Sequence, residues 1–296
     1  VYSGSQFGYY GRRNTNKNIR DNAFILPRND LGEPPLRYNW QTPILLSRHN
    51  QDVLYYGSNK LHRSLNRGDS LVTLSDDLTT NPKQGDIPFG TLTTISESAL
   101  KFGLVYTGSD DGQIQITRDG GYSFSNISNN LPKQVKGLYV SRVVASAYRE
   151  SRVYATLNGY RNDNFSSYLF VSDDFGKTWK QIMKDLPAEP VNVIREDNLY
   201  DSIVYVGTDG GLYVSIDAGN SSIAWNKDLP KSIPVHDIAI HPRDNEIILG
   251  THGRSLYIAS LDDVHKVFKK EPIKIKETKA ADKNEEEEED EREEED

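Results

Sequence analysis

The sequence predicts an all-β protein made of repeated four-stranded antiparallel sheets, and three observations support this fold class. A phrase of the form Ser/Thr-x-Asp-x-Gly-x-Ser/Thr recurs along the chain. Apolar Val-Tyr segments with glycine turns accompany the copies at intervals of roughly 43–51 residues, the length of one blade of a β-propeller. Tyrosine and glycine are abundant, and no apolar run approaches the roughly 20 residues of a transmembrane helix. We therefore expect a β-propeller of four-stranded blades.

The repeated phrase has a local structural explanation. Its Asp accepts hydrogen bonds from backbone groups of its own turn, its Gly takes the left-handed conformation that the turn needs, and the aromatic residue after it packs under the sheet. We therefore interpret five residues as structural. They are Asn66 in an eroded copy, Asp119, Asp174 and Asp217, with Trp179 as the aromatic residue of the third copy. Trp225 follows the fourth copy after an insertion, and we expect it to fill the same slot as Trp179.

The order of the predicted strands divides the chain into blades. Inner strands are predicted at 42–47, 90–96, 141–147, 190–195 and 235–241. Residues 36–261 therefore contain five blade cores, whereas residues 1–35 hold a partial blade and an irregular excursion. Because the first segment lacks an inner strand and the last core lacks the repeated phrase, we expect the chain to be the C-terminal part of a larger propeller.

The negative charge is concentrated in a C-terminal charged tail, residues 262–296. The formal net charge is −8, but residues 285–296 alone hold eleven acidic residues and one arginine. Such a polyacidic tract has little to bury, so we expect it to be disordered by itself. The rest of the chain has no basic stripe and the tail repels phosphates, so we expect no nucleic-acid partner.

The sequence shows no pattern of a cofactor or metal site. It contains no cysteine, which excludes disulfides, thiolate metal ligands and a cysteine nucleophile. The six histidines have no metal-binding spacing, and we expect His236 and His241 on opposite faces of a strand. We therefore expect neither a cofactor nor a metal.

The expected binding surface lies opposite the repeated phrases. In an antiparallel meander the turns after the second strands fall on one side of the ring and the repeated phrases on the other. A rigid ring presents the second-strand turns to a common point, where propellers usually bind. The candidate binding residues are Arg142, Asn158, Tyr160, Arg161, Asp209, His252 and Arg254. The competing interpretation is that each is a solvated turn residue or belongs to a channel-lining ion pair.

Two further features concern this surface. The turn between Leu157 and Tyr168 is longer than its counterparts, and we expect it to overhang the channel mouth. Trp40 stands at the start of an inner strand, where it either stacks on a sugar or peptide or packs between blades. We favour packing between blades.

The repeated phrase resembles the Asp-box, or BNR repeat, of sialidases, xyloglucan-degrading propellers, sortilin-type receptors and a photosystem assembly factor. From Val1 to Leu261 the chain is most similar to the large sortilin-like BNR-repeat propellers of bacteria. The matching segments are 37–43, 57–64, 107–112, 157–161 and 250–255. The Asp-box indicates a fold much more than a function, because its members include hydrolases, receptors and assembly factors. We expect an extracytoplasmic location (periplasmic, cell-surface or secreted), although Val1-Tyr2-Ser3 is not a secretion signal.

Two functions remain open from the sequence. The Arg-Ile-Pro motif of sialidases is absent, but another kind of glycoside hydrolase needs only two carboxylates roughly 5–10 Å apart. The available acids on the expected face are Asp110, Asp111, Asp163 and Asp209, and no sequence context predicts a raised pKa for them. We therefore predict a noncatalytic propeller that binds a protein or peptide partner in an extracytoplasmic assembly. One such partner is the remaining part of its own propeller. The alternative is a carbohydrate-active glycoside hydrolase.

Overall fold

The computed structural model describes residues 1–16, 22–29, 31–225 and 229–268. These residues form six antiparallel sheets, one short α-helix, α1 (Asp262–Val267), and three single-turn 3-10 helices. The predicted all-β propeller of four-stranded blades is confirmed: within the described residues it has six blades, of which blades 2 to 5 have four strands and blades 1 and 6 have three. The predicted acidic tract at 285–296 lies outside the described residues.

The strands follow one another around the ring in chain order. Blade 1 contains β1 (Tyr2–Gly4), β2 (Tyr10–Arg13) and β3 (Asn22–Ile25). Blade 2 contains β4 (Ile44–Leu46), β5 (Leu54–Gly57), β6 (Leu61–Ser64) and β7 (Val72–Thr73). Blade 3 contains β8 (Leu92–Glu97), β9 (Val105–Ser109), β10 (Ile114–Thr117) and β11 (Ser125–Asn126). Blade 4 contains β12 (Tyr139–Ala145), β13 (Val153–Gly159), β14 (Asn164–Ser172) and β15 (Lys180–Gln181). Blade 5 contains β16 (Val191–Glu196), β17 (Val204–Thr208), β18 (Leu212–Ser215) and β19 (Ile223–Ala224). Blade 6 contains β20 (Val235–His241), β21 (Glu246–Thr251) and β22 (Leu256–Ser260).

The Val-Tyr segments form the second strands of blades 2 to 5, and they are buried along their whole length. Neighbouring blades cover both faces of these strands, so the sequence shows a continuous apolar run instead of alternation. The four tyrosines are at most 2% exposed; they are Tyr55, Tyr106, Tyr154 and Tyr205. The Tyr55 hydroxyl donates to Glu97 Oε1 of the next blade at 2.9 Å, which satisfies its polar end.

The Asp-box turns repeat one hydrogen-bond pattern. In the third copy the Ser172 hydroxyl donates to Asp174 Oδ1 at 2.7 Å and accepts from the Gly176 N–H at 2.8 Å. Asp174 Oδ1 also accepts from the Thr178 N–H at 2.8 Å. The same three bonds occur in the other copies, on Asn66, Asp119 and Asp217. The eroded copy keeps the pattern because an amide oxygen accepts the same backbone bond as a carboxylate.

Each Asp-box glycine lies on an aliphatic side chain of the preceding blade. A Cβ atom on Gly176 would lie 2.4 Å from Ile127 Cδ1, and Gly176 also has a φ of +82°. The position therefore requires glycine for packing as well as for backbone conformation. The equivalent pairs in the other interfaces are Gly68 on Ile25, Gly121 on Leu74 and Gly219 on Ile182. The aliphatic partner stands directly after, or at the end of, the outer strand of its blade.

Trp225 does not occupy the slot of Trp179, contrary to expectation. Its N–H donates to the Leu212 carbonyl at 2.8 Å, as the N–H of Ile182 donates to Leu169 at 3.0 Å. Trp225 is therefore the counterpart of the aliphatic residue after the outer strand, three positions beyond the Asp-box aromatic. Trp179 itself packs against the blade 3–4 core, and its Nε1–H donates to the Ile127 carbonyl at 3.2 Å.

Truncation of the third Asp-box should destabilise the fold in a graded way. We expect Trp179→Ala to cost about 3 kcal/mol, because a large, partly buried ring is lost. Asp174→Ala should cost about 1–3 kcal/mol through unsatisfied turn donors, and Asp174→Asn should cost less, because Asn66 serves in the same role. The measurement is urea unfolding, with Lys177→Ala in the same turn as the control. A cost for Asp174→Ala no larger than that of Lys177→Ala contradicts the assignment.

The Asp-box carboxylates should also make stability depend on acid. Burial acts to raise the pKa of Asp174, but hydrogen bonds from the Thr178 hydroxyl and N–H outweigh it and hold the pKa at about 2. Because this folded-state pKa lies below the ordinary value of 3.8, the stabilisation is complete above about pH 4 and is lost as the pH falls towards 2. Between pH 5 and pH 2.5 the urea concentration at the unfolding midpoint should therefore fall less in Asp174→Asn than in the unmodified chain. An unchanged loss counts against this role.

Candidate functional site

The second-strand turns are fixed to the beginnings of the inner strands. The Asp110 N–H donates to the Thr91 carbonyl at 3.0 Å, the Asp209 N–H to Pro190 at 3.2 Å and the His252 N–H to Pro234 at 3.1 Å. Each turn is thus bonded to the residue at, or just before, the start of the inner strand of its own blade. We call the surface formed by these turns and strand starts the channel mouth.

A bulge near the start of each of four inner strands links the blades around the channel. The register shifts between Leu92 and Thr94, Val140 and Arg142, Val191 and Val193, and Val235 and Asp237. The bulged residues are Thr93, Ser141, Asn192 and His236. The first three each donate to the carbonyl of the next blade's residue that precedes its own bulge, at 2.5, 2.7 and 3.4 Å respectively. This ladder holds the channel mouth in one geometry.

Three of the predicted residues meet in one polar cluster. Asn158 Nδ2 donates to Asn192 Oδ1 at 3.1 Å, and Asn192 Nδ2 donates to Asp209 Oδ1 at 2.8 Å. The His236 and His252 rings lie side by side with centroids 5.0 Å apart, and the charge of Asp209 acts on His236. The sequence prediction missed Asn192 and His236. The available signal for Asn192 was an amide between two valines of an inner strand.

The electrostatics of the cluster keep His236 neutral. Burial and the neighbouring His252 lower the pKa of His236, and the negative charge of Asp209 opposes them. A lowered pKa leaves the imidazole uncharged at neutral pH. In this form one ring nitrogen donates a hydrogen bond and the other accepts one.

Arg142 forms an ion pair between two blades that are not neighbours. Its Nη2 is 2.9 Å from Asp237 Oδ1, so the contact runs from blade 4 to blade 6. Arg195 Nη2 lies 3.9 Å from the same oxygen. Burial, followed by the like charge of Arg142, lowers the pKa of Arg195 to about 10. This arrangement corresponds to the competing interpretation of Arg142 as part of a channel-lining ion pair.

The segment between Leu157 and Tyr168, which was predicted to be a long turn, consists mostly of an extended hairpin of β13 and β14. β13 continues to Gly159 and β14 begins at Asn164, so only a short 3-10 turn over Tyr160–Asn162 connects them. Tyr160 at the tip is 61% exposed and packs edge-to-face on Phe165 at 5.9 Å. Arg161 lies over the Tyr139 ring, with its guanidinium carbon 5.1 Å from the ring centroid. The hairpin therefore carries an aromatic and cationic tip.

Trp40 is exposed, and the preference for packing between blades is wrong. It is 61% exposed, with its ring edge-to-face on Phe7 at 5.2 Å. The neighbouring Asn39 is buried instead and donates to Thr91 Oγ1 at 2.9 Å. Asn39 anchors the chain at the channel mouth, so the next side chain projects outward. Arg254 is also exposed, in the turn between β21 and β22.

Three of the four candidate acids of this face accept local hydrogen bonds, and the fourth, Asp163, is exposed. Asp110 accepts from the Thr91 N–H at 2.8 Å and from the Thr91 hydroxyl at 2.7 Å. Asp111 accepts from the Thr80 N–H at 2.7 Å, and Asp209 accepts from Asn192. Burial raises the pKa of Asp110. The sequence had predicted no raised pKa for this acid. Within the described ranges no group of three or more histidine and acidic side chains has an arrangement that could hold a metal ion.

The repeat and the fold agree with known proteins. A profile described as BNR-Asp box repeat matches residues 169–182, which end one residue past β15 and include the third Asp-box. The chain is a β-propeller that contains a BNR-Asp box repeat. No curated protein sequence matches this Asp-box propeller. Among the described residues, no helix has the length and apolar character needed to span a bilayer.

Three solved structures illustrate the range of similar propellers. The GH74 xyloglucanase of Xanthomonas campestris is 14% identical with a TM-score of 0.58, and the match covers 74% of this chain and 36% of the enzyme. A structure of YCF48 bound to D1 peptide is 11% identical with a TM-score of 0.53, covering 81% and 68%. The extracellular domain of the putative hybrid two-component system BT4673 of B. thetaiotaomicron is 18% identical with a TM-score of 0.56, covering 87% and 30%. The Asp-box propeller spans about a third of the first and last of these chains, and at these identities the likeness shows the fold alone.

The pKa of His236 should report on the polar cluster. His252→Gln removes the neighbouring imidazole, so the pKa of His236 should rise towards its ordinary value of 6.5. Asp209→Asn removes the charge that favours protonation, so the pKa should fall further. The measurement is an NMR titration of the His236 ring protons. A shift in the same direction for both variants contradicts the described contacts.

Proposed function

We propose that the chain is a noncatalytic propeller that binds a protein or peptide partner at its channel mouth, as part of an extracytoplasmic assembly. The observation that carries this proposal is a set of exposed aromatic and cationic side chains on a hydrogen-bonded base. Tyr160, Phe165 and Trp40 are exposed, and Arg161 and Arg254 are exposed on the second-strand turns of blades 4 and 6.

The chemistry of this surface suits a polypeptide. Tyrosine, tryptophan and arginine dominate protein-interface hot spots, because each combines a large contact area with directed hydrogen bonds. The polar cluster of Asn158, Asn192 and Asp209 offers donors and acceptors between them. Because the second-strand turns are bonded to the inner strands, little conformational entropy is lost on binding.

Similar propellers support the two halves of this proposal separately. YCF48 has been seen with a peptide bound, which supports peptide recognition by a ring of this kind. BT4673 supplies an extracellular domain of the same fold, which supports a location outside the cytoplasm. The remaining part of a larger propeller is a further protein partner within this proposal.

Binding should depend on the channel mouth and not on the Asp-box rim. The probes are peptides selected from a random display library against the unmodified chain. Arg161→Ala and Arg254→Ala should each weaken binding about 30-fold, which corresponds to a hot-spot loss of about 2 kcal/mol. Lys177→Ala, on the opposite rim, should leave the affinity unchanged. Equal affinities in all three variants, or a loss in the control alone, would move the site elsewhere.

A glycoside hydrolase is the second candidate function, and one observation favours it. The buried Asp110 has a raised pKa, as a general acid requires, and the GH74 xyloglucanase shares the fold. Hydrolysis of xyloglucan by the purified chain, abolished by Asp110→Asn and retained in Lys177→Ala, would replace the binding proposal. We expect no hydrolysis, because Thr91 occupies both oxygens of the Asp110 carboxylate.

A further inference from the structure

The interface between blades 5 and 6 departs from the pattern of the preceding four. In those interfaces an Asp-box glycine covers the aliphatic residue associated with the outer strand of the blade before it. Trp225 holds that position in blade 5. Blade 6 presents no Asp-box to cover it, because β22 leads directly into α1.

An apolar groove occupies the corresponding place. Its volume is about 580 Å³, and its lining includes Trp225, Leu229, Leu249, Tyr257, Val264 and Val267. Val264 and Val267 belong to α1, which forms one end of the groove. Ile258 on β22 also borders it and is 63% exposed. A contiguous apolar surface of this kind usually marks a binding site.

The outer edge of β22 is open as well. In blades 2 to 5 one residue of the third strand accepts a backbone hydrogen bond from the residue just after the fourth strand. The accepting carbonyls are those of Leu61, Ile114, Leu169 and Leu212, and each of these residues pairs with the residue two positions after the tyrosine of the second strand. Leu256 pairs with Gly250 as Leu61 pairs with Gly57, but no such donor reaches its carbonyl within the part of the chain that the structure describes.

We propose that residues 272–276 add to β22 as the fourth strand of blade 6 and fill this groove. The segment reads Pro-Ile-Lys-Ile-Lys, an alternation typical of a strand with one buried face. Ile273 and Ile275 then face the groove, and Lys274 and Lys276 face solvent. A proline is tolerated at the first residue of an edge strand, and edge lysines discourage pairing with further chains.

Chain connectivity favours this occupant over a second copy or an external peptide. α1 ends at Val267, which itself lines the groove. Residues 268–271 connect α1 to the segment, and such a link reaches at most roughly 18 Å. The tethered segment therefore has an effective concentration near the millimolar range, which a separate molecule rarely matches.

Hydrogen exchange in the full chain tests the proposal. The amides of residues 273–276 should exchange at least about tenfold more slowly than in a free peptide of the same sequence. Ile273→Ser combined with Ile275→Ser should remove this protection and expose the β22 amides. The matched control, Lys274→Ser with Lys276→Ser, should retain it. Free-peptide exchange in the unmodified chain, or identical effects of both double variants, overturns the proposal. Concentration-dependent protection of β22 alone assigns the groove to a second copy and also overturns it.

Cross-linking gives a second readout that does not depend on stability. The chain has no cysteine, so an introduced pair gives an unambiguous disulfide. Val264→Cys with Ile273→Cys should oxidise at least about tenfold faster than Val264→Cys with Lys274→Cys, because only the first pair faces the groove. Equal rates contradict a fixed strand.

Discussion

The architecture depends on the contact between an Asp-box glycine and an aliphatic side chain of the preceding blade. The glycine has a positive φ, and a Cβ atom on Gly176 would overlap Ile127. The Ser/Thr hydroxyl and the Asp oxygen satisfy the donors of the turn, so the backbone can approach the neighbouring blade closely without leaving polar groups unpaired. One seven-residue phrase thus shapes a turn and also sets the spacing between two sheets.

The channel side of the blades is joined by a different device. Bulged residues of the inner strands donate to the backbone of the next blade, so the blades are linked at the channel and at the Asp-box rim. The exposed residues Tyr160 and Arg254 of the second-strand turns take part in neither link. Side chains such as Tyr160 and Arg254 are therefore free to vary without a change in the packing of the ring. A rigid frame with independent surface residues suits recognition of one specific partner.

The sequence was sufficient for the fold because its signals are local and periodic. The Asp-box and the Val-Tyr strand each require only a few adjacent residues, and their recurrence indicates the blades. The site was less accessible, since Asn192 and His236 reach the channel mouth through bulges that a period of two does not anticipate. Trp40 was misjudged for a related reason: buried Asn39 anchors the chain there, and the next side chain points to solvent. Trp225 was misplaced because it was interpreted as an aromatic residue displaced by an insertion; it follows Asp217 at the same spacing at which Ile182 follows Asp174, and Ser222 stands at the position of Trp179.

The acids of the channel mouth show why a raised pKa is a weak indicator of catalysis in a propeller. Burial raises the pKa of Asp110, but that burial comes from the tight packing of its turn against the start of β8. Both of its oxygens accept hydrogen bonds from Thr91, which a substrate would have to displace. A general acid instead needs its proton directed at the leaving group. The carboxylate is therefore better explained as the polar end of a structural turn, which leaves the exposed aromatic and cationic side chains as the part of this face available to a partner.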